Sequence, residues 1–321
     1  MVKTRMLPRD VALAAVFAAL SWIVSEFVPG IPIIGASGSK ISFDAALAPI
    51  YGIIIGPYLG FFAALIGGLV AAGSLFTILT SFCTGISAFV AGMLANRRTG
   101  FGRTWGWIFS AIVIAVLIAG WYSTDIGRQA PFYPIPHLMG LAIVLVARGW
   151  TSKKIEEEAS EEVSPQARRL NTQSLAWGII SLTIGVTCYF TYLDLAGIAA
   201  GLGVFQILSF LSYSMVIVGL FSLIYGLFSW IRPGFVTALA SACYCGLIAD
   251  HMLGNLIFIG MIDIVAEGLK GAPSQVVAGI FLTVLPVSVA ERVLFTAIAT
   301  TIGLALLPAL RKAGIRYSRA K

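Results

Sequence analysis

The chain is a succession of apolar runs separated by short breaks of Gly, Pro and charge. A helix needs about 20 mostly apolar residues to cross the roughly 30 Å hydrocarbon core of a bilayer. Read on that scale, the breaks define ten spans near 10–28, 42–56, 57–75, 76–95, 105–123, 134–150, 174–195, 200–231, 234–260 and 277–310. The second and third are short and divided by Gly56-Pro57. Such a break is tolerated at membrane depth where the backbone is buried in protein or lines a cavity. The first run follows Lys3, Arg5 and Arg9, as a signal peptide would, but it has full span length and no convincing small-residue cleavage site. It reads as a retained first helix.

Composition agrees with the pattern. The residues are 59% hydrophobic and only 11% charged, against roughly 45–50% and 25% in soluble domains. The mean hydropathy is +0.95. The predicted fold class is therefore all-α, a polytopic helical protein of the cell membrane. Charge sets its orientation: with the N-terminus inside, all but four of the 21 Lys and Arg residues are cytoplasmic. Lys40, Arg128 and Lys270 fall outside and Arg292 within the membrane. The positive-inside rule then predicts ten spans with both the N- and C-termini cytoplasmic. It also accounts for the net charge of +7 without nucleic acid, since no soluble basic face is present. The four cysteines all lie in apolar runs and have neither metal-ligand spacing nor an expected partner, so no metal and no disulfide is predicted.

One soluble insert interrupts the spans, at about 151–173. Lys153/Glu157 and Lys154/Glu158 have the spacing that supports a short exposed helix in a solvated cytoplasmic linker.

Charge inside an apolar run is expensive, roughly 2.5–3.5 kcal/mol for Asp, Lys or Arg at a helix centre on insertion scales, so such residues pair, face a cavity or carry function. Two stretches fit: Ala249-Asp250-His251-Met252-Leu253-Gly254-Asn255 in the ninth span and Glu291-Arg292 in the tenth. The ninth span runs outward and the tenth inward, so both stretches lie at similar depth, outside the midplane. Asp250 and Arg292 are an expected ion pair. Asp250, His251, Asn255, Glu291 and Arg292 are candidate substrate-binding residues of an outward-opening pocket, where Arg292 offers a forked donor to a carboxylate or phosphate. Glu291 and Arg292, being adjacent, point about 100° apart on a helix. The Gly- and Pro-punctuated stretch 29–40 faces the same side, which adds Lys40 and Asp44 to the candidates. Its spacing does not match a nucleotide-binding loop, and no cofactor is predicted. His137, in Pro134-Ile135-Pro136-His137, reads as an interfacial residue.

The first helix carries another signal. Ala14/Ala18 and Ala15/Ala19 are small-x-x-x-small pairs that let another helix approach closely.

Together, the basic N-terminus, the Ala-x-x-x-Ala helix, the Gly/Pro outer loop, Ile50-Tyr51-Gly52 through Gly56-Pro57-Tyr58-Leu59-Gly60, and a last helix with a polar outer part and basic tail resemble the substrate-binding S component of energy-coupling factor (ECF) transporters. The resemblance covers 1–100 and 232–321. The four spans of 101–231, with the linker 151–173, depart from it as an inserted region. It implies capture of a vitamin or other small nutrient from the extracellular side, with no enzymatic activity, and the mixed signs of the candidate residues suit a zwitterionic or heteroaromatic nutrient better than a purely cationic one. It also implies a transmembrane T component and cytoplasmic ATPases as partners, with Ala14, Ala15, Ala18 and Ala19 as the docking face. The chain itself has no Walker A loop.

Two other classes stand beside this reading. A secondary transporter, proton-coupled through Asp250, His251 and Glu291, predicts matching broken segments in both halves, and Ile50–Gly60 has no counterpart. An intramembrane enzyme needs a nucleophile with its base, or a metal cluster, and neither is evident with two histidines far apart in sequence. A non-catalytic subunit of a membrane complex is the remaining form of that third class.

Overall fold

Helices carry the chain, described in a computed structural model for residues 8–28, 30–32, 40–96, 105–160, 172–196, 215–216, 219, 222–224, 226–227 and 233–313. A backbone in hydrocarbon must satisfy its hydrogen bonds internally, which helices do. The first, α1 (Pro8–Phe27), leads into a small antiparallel ladder in which β1 (Ile31–Pro32) pairs with β2 (Lys40–Ile41). Then come α2 (Asp44–Ile55), α3 (Pro57–Val70) and α4 (Leu75–Ala95). The middle of the chain holds α5 (Gly106–Ser123), α6 (Asp125–Gln129), α7 (Ile135–Ala147), α8 (Trp150–Ser160) and α9 (Thr172–Ala196). It closes with α10 (Pro233–Gly260), α11 (Ile262–Val265), a 3-10 turn at Glu267–Leu269 and α12 (Ser274–Lys312).

The number of spans needs correction. Among the described residues five helices are long and apolar enough to cross a membrane, or six if the bent pair α7 and α8 is one span, rather than ten. The reason is length. At 1.5 Å per residue α2 and α3 reach only about 18 and 21 Å, short of the roughly 30 Å core. Gly56 (φ 91°) turns the chain between them and Pro57 opens α3, so the apolar stretch 42–75 is divided into two short rods. In α9 the side chains are described continuously only over Leu175–Thr187, an apolar stretch too short by itself to count as a span. Most of the expected span 200–231 lies outside the described residues.

The two short rods are held by very close backbone packing. A Cβ on Gly52 would lie 1.8 Å from the Ala88 carbonyl oxygen of α4, and one on Gly60 would lie 2.5 Å from Gly52 Cα. Gly92 returns the contact from α4, its Cβ position 2.7 Å from Gly52 O. On the other side Phe17 of α1 stacks on Tyr51, centroids 4.7 Å apart. The start of α4 is fixed by a capping box: Ser74 Oγ accepts from the Thr77 amide and Thr77 Oγ1 accepts from the Ser74 amide.

Helix α10 packs on α4, α12, α8 and α7 and so joins the early and late parts of the chain. The helix in the charged insert is present, yet it is more than a solvated linker. Lys153 and Lys154 both reach Glu157, at 3.8 and 2.8 Å, while Thr151, Ser152 and Ile155 are buried on the opposite side, where α8 meets α4, α10 and α12. Arg311, near the end of α12, donates to the Glu158 carbonyl.

Candidate functional site

The C-terminal end of α1, the N-terminal end of α2, the α3–α4 corner, the C-terminal half of α10 and the N-terminal half of α12 converge at one end of the bundle. Between them is a cavity of about 410 Å³, in the size range of small-molecule sites. The antiparallel connections bring these five ends together. Of the candidates, Asp44, Asp250, His251, Asn255, Glu291 and Arg292 all line it. The backbone of Lys40 pairs with Pro32 in the ladder, and its side chain lies outside the described part of the structure.

The charged wall is centred on Arg292, which is buried along with Asp250, Glu291 and Asp44. Arg292 Nη1 donates to Asp250 Oδ2 at 3.1 Å, the ion pair expected from the two charged stretches. Nη2 lies 3.5 Å from Glu291 Oε2, so the adjacent side chains curl toward each other and both face the cavity despite their angular separation on the helix. The guanidinium also sits 5.1 Å from the Phe295 ring centroid. Both terminal nitrogens are thus engaged within the protein, and Arg292 Nε, Glu291 Oε1 and Asn255 Nδ2 remain buried without a hydrogen-bond partner. Across the cavity Asp44 Oδ2 accepts from Ser21 Oγ at 3.1 Å, which ties α2 to α1.

A second polar group stands beside the first. His251 follows Asp250 on α10, and its Nδ1 is 3.2 Å from His137 Nε2 of α7, the two imidazoles stacked with centroids 5.2 Å apart. Tyr133 Oη lies 3.4 Å from His251 Nε2. A tautomer in which Tyr133 donates to His251, and His251 Nδ1–H donates to His137, satisfies both contacts. His137 Nδ1 is left buried without a partner. The interfacial reading of His137 is therefore corrected, since its side chain is wholly buried against α10. Tyr133 was not anticipated either; it stacks on Trp121 at 4.6 Å and meets Phe281 edge-on. The available signal was that only two histidines occur in the chain, both near the same end of their spans.

The four alanines of α1 divide. Ala14 and Ala18 are half-buried, with the Ala18 carbonyl 2.6 Å from where a Gly67 Cβ would be, whereas Ala15 and Ala19 are exposed. Val11, Val16, Leu20 and Ile23 of the same helix are exposed too. Among the described residues no group of three or more His, Cys, Asp or Glu is placed to hold a metal ion. Cys83, Cys243 and Cys245 are buried free thiols.

Fold and site together define a helical protein suited to a membrane, with a charge-lined cavity at one end of its bundle. A stretch of 117 residues, 36% of the chain, is 32% identical to an uncharacterized protein of Methanocaldococcus jannaschii, and the match spans 38% of that relative's length. No family model matches the chain. No solved structure matches it either.

Proposed function

We propose that this chain is the membrane-embedded, substrate-binding subunit of an ECF-type uptake transporter of the cell membrane, capturing a small nutrient without chemically altering it. The observation that carries the reading is the cavity, whose charged residues are drawn from both ends of the chain, the same two regions that carry the sequence resemblance. Residues of that wall carry buried hydrogen-bonding atoms without a partner, which suits a ligand that completes them. The lysine and arginine distribution supports cytoplasmic N- and C-termini, which makes the cavity end extracellular. As α2 descends from that end and α3 returns to it, their shortness leaves the parity of crossings unchanged. The exposed Ala15/Ala19 side of α1 suits docking of a transmembrane partner, with cytoplasmic ATPases beyond it.

The test is mass spectrometry of small molecules released from protein purified in mild detergent, with co-purifying proteins identified in the same sample. The expected result is a stoichiometric nutrient together with an ABC-type ATPase. Absence of both, with proton-linked uptake by vesicles holding this chain alone, would replace the reading with a secondary transporter. The Tyr133–His251–His137 contacts are the feature that favours that second reading, because they form a hydrogen-bonded chain leading away from the cavity wall.

A further inference from the structure

The charge and the open hydrogen-bond positions of the cavity identify the kind of ligand, an inference that rests on the capture reading above. Arg292 looks from sequence like an anion receptor. In place, Nη1 donates to Asp250, Nη2 lies 3.5 Å from Glu291 Oε2, and Nε has no partner. A substrate carboxylate or phosphate would therefore have to share the guanidinium with two carboxylates already held against it. Against this single guanidinium, the described lining presents four carboxyl groups, Asp44, Asp250, Glu291 and, exposed on α1, Glu26.

Acidic residues alone do not make a site, but the unpartnered atoms supply independent support. Glu291 is 8% exposed and Arg292 3%; both residues line the cavity, and each has one polar atom buried without a partner. Glu291 Oε1 requires an N–H or O–H donor. Arg292 Nε and Asn255 Nδ2 require an acceptor. The rest of the wall includes the aromatic faces of Phe76, Tyr133, Phe258 and Phe281, which attract a cation as well as an apolar ring.

We infer that the cavity takes a small organic cation, a ligand carrying a protonated amine or amidine-type nitrogen beside an apolar or aromatic body, with the cationic N–H groups directed to Glu291 and Asp44 and an acceptor atom directed to Arg292 Nε and Asn255. An N–H ligand satisfies the acceptor side and lowers the formal excess of carboxyl groups, whereas an anion adds to it.

Three probes of nearly equal shape separate the possibilities: benzamidine, a cation; benzamide, neutral; and benzoate, an anion. Each is titrated against the full-length protein in detergent, from which co-purified ligand has been washed, and read by calorimetry and by the shift in thermal unfolding. Benzamidine is expected to bind about tenfold or more tightly than benzamide, and benzoate not to bind, as a charge-assisted hydrogen bond to a buried carboxylate implies. Glu291→Gln should lower benzamidine affinity by about tenfold with little effect on benzamide. Asp44→Asn provides a second variant should the first fail to fold, which size-exclusion elution reveals. Benzoate binding as tightly as benzamidine, or no binding of any probe, overturns the inference. Stoichiometric release of an anionic nutrient from the purified protein would overturn it too while sustaining the capture reading, so the two fail separately.

Discussion

The charged wall of the cavity and the histidine group beside it share α10, where Asp250 and His251 are consecutive, yet they satisfy their polar groups by different means. Asp250 faces α12 and answers to full opposite charge on Arg292. His251 faces α7 and answers to a neutral ring and a phenol. In the first group, removing one member leaves a buried charge. In the second it leaves a buried dipole, a smaller penalty. The difference teaches where substitutions will act: the charged wall sets stability and ligand choice together, while the histidine group positions one cavity side chain.

The largest expected effect is that of Arg292→Ala. It strips the partner from Asp250 and from Glu291 and should cost about 3–5 kcal/mol, read as thermal or denaturant unfolding in detergent. The double variant Asp250→Leu with Arg292→Met should recover only part of that loss, because the ion pair with Asp250 is replaceable by apolar groups of similar volume while Glu291 still lacks its cation. It should not recover ligand binding. A single variant as stable as the parent would mean that the pair does not set stability.

The cavity also depends on the α2–α4 packing that holds α2, and with it Asp44, in place. Gly52→Ala forces a methyl into the Ala88 carbonyl. The loss should approach the upper end of the roughly 1–3 kcal/mol typical of overpacking. A structure of the variant should show α2 displaced from α4. Unchanged unfolding would show that the two helices separate freely, and the wall could not then be treated as fixed.

On the histidine side the effects shrink. His137→Ala deprives His251 Nδ1 of its partner and should cost about 1–2 kcal/mol. Benzamidine affinity should change far less than in Glu291→Gln, since His137 stands behind the lining rather than in it. Equal losses of affinity in the two variants would erase the distinction between the groups.

How far each group was legible in the sequence follows from the same physics. Asp250 and Arg292 announce themselves because an unpaired charge in an apolar run is costly, and two runs of opposite direction bring them to one depth. His137 does not, because a neutral imidazole near a proline-flanked helix end has an inexpensive interfacial alternative, and only the packing of α7 on α10 decides between them. Tyr133 carries even less signal, as an aromatic near a span end is ordinary in any membrane protein. Helix lengths show a similar division. Gly56-Pro57 marks the break between α2 and α3, but apolar residues around it count toward span length although the rods end sooner. In α8 the charge pairing indicates a helix, while the side formed by Thr151, Ser152 and Ile155 looks too polar to bury and is nonetheless packed.

The smallest effect belongs to Tyr133→Phe, and it is the finest probe of the histidine group. The substitution keeps the ring that stacks on Trp121 and meets Phe281, and removes only the hydroxyl 3.4 Å from His251 Nε2. A long contact of this kind should contribute at the lower end of about 0.5–1.5 kcal/mol. The orientation of the chain matters more than its energy. With Tyr133 donating, His251 is held with its proton on Nδ1, and its loss frees the ring to carry the proton on Nε2, facing the space the hydroxyl vacated. Nitrogen-15 shifts of the two imidazoles in selectively labelled protein report that tautomer directly. The parent is expected to show a protonated Nδ1 on His251 and the variant a mixture. Identical spectra would mean that His137 alone fixes the tautomer, and the group would reduce to a histidine pair with a tyrosine packed beside it.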